Sequence, residues 1–161
     1  MTALIILSRW VHVMSAVLAI GSTFFMRVIL PKGLAQADAG SREAVFLRCR
    51  RLYKMLIHTC ALLLILTGAF NSWLNWLEYR LDPKPMQSLW GTHVFLAVVA
   101  IVIAFLLLAG KQPPRWHKTG AGVNLVILFA VVLLASSLKF VRDQTIKSHP
   151  PATAPAASVN R

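Results

Sequence analysis

Acidic side chains are scarce in this chain. Its 161 residues carry 5 Asp+Glu against 17 Lys+Arg, a formal charge of +12. No paired carboxylates fall within its apolar stretches, and it has neither a Ser/His/Asp pattern nor a Gly-rich phosphate loop. Hydrolase and kinase chemistry therefore have no residues to run on. Cysteine is nearly as rare. Cys49 lies in a basic segment and Cys60 in an apolar one, and neither stands in a CxxC or CxxCH setting. Covalent c-type haem attachment and a structural zinc site are excluded on that ground.

What is abundant is apolar surface. Hydrophobic residues make up 57% of the chain, and the mean hydropathy is +0.65. That excludes an ordinary soluble domain and points to the membrane class. The basic excess has a matching explanation, because membrane proteins gather Lys and Arg in their cytoplasmic loops. No aromatic-and-basic patch of the kind that grips nucleic acid is present, so no nucleic-acid partner is expected.

A bilayer core needs about 20 apolar residues per helix. Four stretches qualify, at about 4–30, 53–77, 89–110 and 119–139. They predict an all-α integral membrane four-helix bundle, up-down-up-down, over residues 1–142. Ala19-Ile20-Gly21 is weakly like a signal-peptidase site. No basic n-region precedes it, however, and the apolar run continues to Leu30, so the segment reads as a retained helix. Pro31 and Gly33 are expected to close the first helix, and Pro113-Pro114 to stop the third. A helical stretch over Ser41–Tyr53, with Ser41 as its cap, is expected to lead into the second span. The tail over 143–161 is rich in Pro, Ala and Ser and is expected to be disordered. Trp73, Trp76, Tyr79 and Trp90 gather at one interface and Trp116 at the other, as an aromatic belt does.

The loop over 31–54 and the loop over 111–118 are strongly basic, and the one between them, over 78–88, is balanced. The positive-inside rule then puts the basic loops in the cytoplasm of a cell inner membrane, with both termini on the periplasmic or exterior side.

Ionisable residues inside such spans are costly and mark functional sites by default. His12 stands three residues past Arg9, and His93 three past Trp90. Both enter from the same face and at the same depth. Each heads a stripe of small residues: Ala16 and Ala19 below His12, and Ala97, Ala100 and Ala104 below His93. Small stripes let helices approach closely in lipid, and they also leave room for a flat macrocycle. A matched histidine pair in an apolar setting points to b-type haem held by axial imidazoles. In that reading Arg9 meets a propionate, Trp10 walls one edge, and Ser8, Ser15 or Thr92 takes the second ring nitrogen. His58 enters from the opposite face. Its expected partner is Asn124, by a hydrogen bond; a second metal or haem site, or a relay through His117, is the sharper alternative. Met14 and the other methionines form no His-Met or Cys-Met cluster of the kind that copper(I) prefers.

Leu7-Ser-Arg-Trp-Val-His12, Gly21 and Pro31, with Arg51-Leu-Tyr-Lys-Met, Gly68 and Trp90-Gly-Thr-His93, resemble the helices of copper-resistance protein D (CopD-like) membrane domains. The same segments are similar in outline to HemJ-type protoporphyrinogen oxidases. The resemblance implies a four-helix membrane domain. From the HemJ-type family it implies haem ligation by His12, and from the CopD-like family copper uptake. The HemJ-type family has a lysine soon after its third-helix histidine, where this chain has Val94 and Phe95, so the resemblance does not extend to protoporphyrinogen oxidation. Three functional readings follow. The first is haem b between His12 and His93, serving electron transfer or small-molecule redox, as a haem-dependent oxidoreductase or with a redox partner or quinone. The second is copper-ion handling, and the third is a non-catalytic membrane subunit.

Overall fold

The computed structural model describes residues 2–74, 84–109 and 117–148. Those residues form helices and no strand. We number them α1 (Thr2–Phe24), α2 (Leu30–Gly33), α3 (Ala39–Leu74), α4 (Lys84–Leu108) and α5 (His117–Ser148), with a π-helical turn, Phe25–Ile29, joining α1 to α2. Four spans result: α1 through α2, α3, α4 and α5, each long and apolar enough to cross a bilayer. The protein is an all-α four-helix bundle of the multi-pass membrane class.

The first span buries Ser8, Ser15, Ala19, Thr23, Met26 and Leu30. Steps of three and four residues place these on one stripe. Many of the residues between them face outward. Val17 is 56% exposed and Leu18 49%, as apolar side chains in lipid should be, and Leu133 and Val126 of the fourth span are 68% and 69% exposed. In hydrocarbon such residues gain nothing by burial, so packing of small residues and internal hydrogen bonds hold the helices together.

Pro31 does not close the first helix. It is taken into the short α2, directly after the π turn, where the Leu30 N–H bonds back five residues to the Phe25 carbonyl. A proline removes one helical donor and crowds the carbonyl four residues earlier, and a π turn relieves both.

The second span and the helical stretch before it are one continuous helix of 36 residues. Its cap is Asp38 rather than Ser41: Asp38 Oδ1 accepts the Ser41 backbone N–H at 2.9 Å, an N-cap bond to the third helical residue. Arg42 ties the preceding loop down by donating to the carbonyls of Ala35 and Ala37. Because the helix starts so early, Arg50 belongs to the bundle rather than to a loop. It is 6% exposed and donates to the Leu107 carbonyl at 3.4 Å. A cation at the C-terminal end of α4 meets carbonyls that lack helical partners.

The first span packs along the second and the third along the fourth, giving two antiparallel hairpins. Contact between the hairpins is lighter, first span to fourth and second to third, so the first and third face each other across the diagonal. A small core of Ala19, Ile57, Cys60, Ala104 and Leu108, with Tyr53 and Leu56 against it, joins them in the half near the basic loops. The fourth helix runs to Ser148, past the expected tail boundary at 143. The rest of that tail, with Trp76, Tyr79, Trp116 and Pro113-Pro114, lies outside the described residues. Trp73 is 74% exposed.

The cap has a pH signature. Hydrogen bonds from the Ser41 hydroxyl, and then from its backbone N–H, hold the Asp38 carboxyl below the usual aspartate range. A depressed acid contributes fully above its ordinary value and loses the contribution as pH falls through the lowered one. The Ser41 amide resonance should therefore titrate at a pH below the ordinary aspartate range. The Asp38→Asn variant should show no such titration while keeping the cap, and Asp38→Ala should fray the first turn at every pH. A Ser41 amide that ignores acid in the wild type refutes the cap.

Candidate functional site

Polar side chains along the first span find partners on the second at matched heights. The Ser8 hydroxyl donates to Asn71 Oδ1 at 3.3 Å. One turn deeper, His12 Nδ1 meets Thr67 Oγ1 at 2.9 Å. Deeper again, Thr23 and Tyr53 join through their hydroxyls at 2.9 Å. Ser8 and His12 are four residues apart, as are Thr67 and Asn71, so two antiparallel helices bring both pairs into register.

The direction of the His12 bond follows from the hydrogen count. Thr67 has one hydroxyl proton and gives it to the Leu63 carbonyl in its own helix. Its oxygen is then the acceptor toward His12, so Nδ1 carries the proton and, in the neutral ring, Nε2 does not; the ring also engages the Leu64 backbone. The His12 ring is also closely seated. A Cβ added at Gly68 would lie 3.3 Å from His12 Cε1, so the glycine makes room for the imidazole.

His93 is arranged the same way by a different element. Its Nδ1 lies 3.1 Å from the Val131 carbonyl on the fourth span. A carbonyl only accepts, so this Nδ1 is protonated too, and Nε2 is again the lone pair. Both rings are half-buried. The charge of His93 is felt at His12, so the two histidines singled out from the sequence lie at the same end of the bundle. Each sits on one of the diagonal spans, and each is oriented by the neighbouring span of its own hairpin. The alanine stripes run inward as expected: Ala19 is buried under His12, and Ala100 and Ala104 under His93.

Several expected neighbours are elsewhere. Ser8 bonds to Asn71, and Thr92 is exposed; the ring partners are Thr67 and the Val131 carbonyl. Trp10 is 64% exposed. It lies two residues from His12, roughly 200° around the helix, so it faces lipid and walls nothing between the histidines. Arg9 is exposed, one turn nearer the helix start than His12. His58 does not bond to Asn124. Its Nδ1 lies 2.6 Å from the Lys54 carbonyl one turn back, and its ring meets Phe105 edge-on with centroids 4.6 Å apart. Asn124 is 2% exposed, and its Oδ1 has no partner among the described residues. The His117 side chain lies outside the described residues.

Sequence reading missed Thr67, Gly68 and the Val131 carbonyl. A signal for the first two was available. Thr67 and Asn71 repeat the four-residue spacing of Ser8 and His12 in the antiparallel sense, and Gly68 adjoins Thr67. A backbone carbonyl carries no sequence signal at all.

Among the described residues no three His, Cys, Asp or Glu side chains come together to enclose a bare metal ion. The histidine pair offers two nitrogen ligands on opposed helices. That donor set suits a metal whose other ligands come with it, as the four pyrrole nitrogens of haem do, better than a bare ion needing three or four protein ligands.

The tautomers are open to measurement. Long-range nitrogen–proton spectra of imidazole-labelled protein should show both His12 and His93 protonated on Nδ1. Thr67→Val should release His12 to a mixture of tautomers and leave His93 unchanged. Nε2-protonated His12 in the wild type would contradict the hydrogen-bond assignment. Comparison with protein-family models, with curated proteins and with solved structures returns no match for this chain.

Proposed function

We propose that this is a membrane protein that binds b-type haem between its first and third spans, with His12 and His93 as axial ligands, and that it serves electron transfer or the redox chemistry of a small molecule. One observation carries the reading: two half-buried imidazoles stand on diagonal helices, each held through Nδ1 by a partner on a neighbouring span, and the charge of one is felt at the other. Histidines that only tied helices together would need nothing beyond the Nδ1 bonds. Two neutral imidazoles so oriented match what axial ligation requires, and the hydrogen-bonded partner sets tautomer and basicity.

Light packing between the two hairpins supports the same place for a flat group, and Gly68, Ala16 and Ala97 keep the nearby side chains small. Arg9, on the same end of the first span, is the cation assigned to a propionate. Haem bound there would supply one-electron chemistry. The chain's own part would be to hold the iron's two open positions, exclude water with apolar helices, and keep both imidazoles neutral and aimed. His12 is also the residue to which resemblance to HemJ-type proteins gives haem ligation. For orientation we take the basic loops to be cytoplasmic and both termini exterior in a cell inner membrane, which puts the histidine pair nearer the exterior face.

Absorption spectroscopy tests the reading. Protein purified from haem-replete cells should show a reduced α-band of b type. His12→Ala and His93→Ala should each remove the low-spin spectrum while the helical circular dichroism stays intact. Thr67→Val should keep haem but lower its affinity about tenfold or more, as loss of a ligand's hydrogen-bond partner commonly does. Colourless wild-type protein, or an unchanged spectrum in both histidine variants, overturns the proposal. Copper bound without haem would favour the copper-handling reading.

A further inference from the structure

A cleft of about 390 Å³ opens between the second and third spans at the end of the bundle opposite the histidine pair. Its walls include Lys54 and His58 from one helix and Val102, Phe105 and Leu106 from the other. Val102 is 50% exposed, Leu106 54% and Phe105 39%, so the mouth is apolar and faces the bilayer. The volume lies at the lower end of the range for small-molecule pockets, enough for a single ring.

The polar groups in the cleft have a defined sense. His58 Nδ1 lies 2.6 Å from the Lys54 carbonyl. Because a carbonyl only accepts, Nδ1 is the donor and Nε2 is a lone-pair acceptor. The ring cannot turn without giving up that bond and its edge-on contact with Phe105. Lys54, one turn nearer the basic loop, adds an ammonium that only donates. The cleft therefore asks for a ligand with a hydroxyl to donate inward and a second oxygen to accept one turn outward, on a ring that packs on Phe105 and a tail that lies along Val102 and Leu106. A phospholipid is mismatched. At the depth of His58 it presents ester carbonyls, which accept, against an imidazole nitrogen that also accepts.

We propose that this cleft binds a membrane-soluble quinol, with one ring hydroxyl donating to His58 Nε2 and the other oxygen accepting from Lys54, and that it prefers quinol to quinone. The preference follows from the donor count. A quinone carries two carbonyls and leaves Nε2 without a donor, so a lone pair loses its partner in an apolar cleft. The proposal concerns binding alone, and it stands independently of what lies between His12 and His93.

The test is anaerobic titration of full-length protein, in nanodiscs of phosphatidylcholine, with decyl-ubiquinol and with decyl-ubiquinone. The quinol should bind about tenfold more tightly, the usual worth of one such hydrogen bond at a desolvated site. His58→Leu should abolish the difference between the two forms. Val102→Trp, at a lipid-facing position that leaves His58 and Lys54 in place, should fill the cleft and weaken both ligands; it carries the test if the His58 variant does not fold. Equal affinity for the two forms overturns the proposal, as does a preference that survives His58→Leu. Displacement of both forms by phosphatidylglycerol, with no dependence on oxidation state, would make the cleft a lipid site instead.

Discussion

Inside hydrocarbon a polar side chain has no water to bond to, and the seam between the first two spans is arranged around that fact. Ser8, His12 and Thr23 reach Asn71, Thr67 and Tyr53 in antiparallel order. Of these bonds the one from His12 to Thr67 involves the only ionisable side chain of the three on the first span. It orients an imidazole that a bulkier neighbour than Gly68 would push away, and it decides which nitrogen carries the proton. Helix pairing and the setting of the imidazole are here one interaction, because a membrane helix pair is held by close packing and by such bonds rather than by burial of oily surface.

The same logic repeats across the molecule with different acceptors. Thr67 donates its hydroxyl hydrogen bond to the Leu63 carbonyl, the Val131 carbonyl accepts from His93, and the Lys54 carbonyl accepts from His58. In each case the acceptor has no choice of role, so the histidine has none either. All three rings thereby present Nε2 as a lone pair. Two of them stand on diagonal spans at one end of the bundle, and the third lines a cleft near the basic loops. The two ends of the bundle thus carry half-buried imidazoles of one tautomer in different surroundings, the one at His58 beside a cleft that opens to the bilayer.

The half of the bundle near the basic loops is where the two hairpins meet most closely. Ala19, Ile57, Cys60, Ala104 and Leu108 fill it, and Arg50 crosses from the second span to the last turn of the third. The π turn at Phe25–Ile29 lets the first span carry Pro31 and still run on to Gly33 beside this core.

The number of spans, their approximate limits and the burial of the alanine stripes were legible in residue type and spacing, because bilayer thickness and the 3.6-residue turn impose them on any chain. His12 and His93 stood out for the same reason, as costly residues at one depth. Local chemistry was read less well. Asp38 rather than Ser41 caps the second helix, since the helix starts two residues earlier, at Ala39. Pro31 is absorbed rather than obeyed. Trp10 turned outward, and His58 found a carbonyl in its own helix instead of Asn124. Sequence alone determined that two histidines share a level in a four-helix membrane bundle. Only tertiary structure decided which nitrogen of each carries the proton, because that depends on a threonine and a backbone carbonyl contributed by other helices.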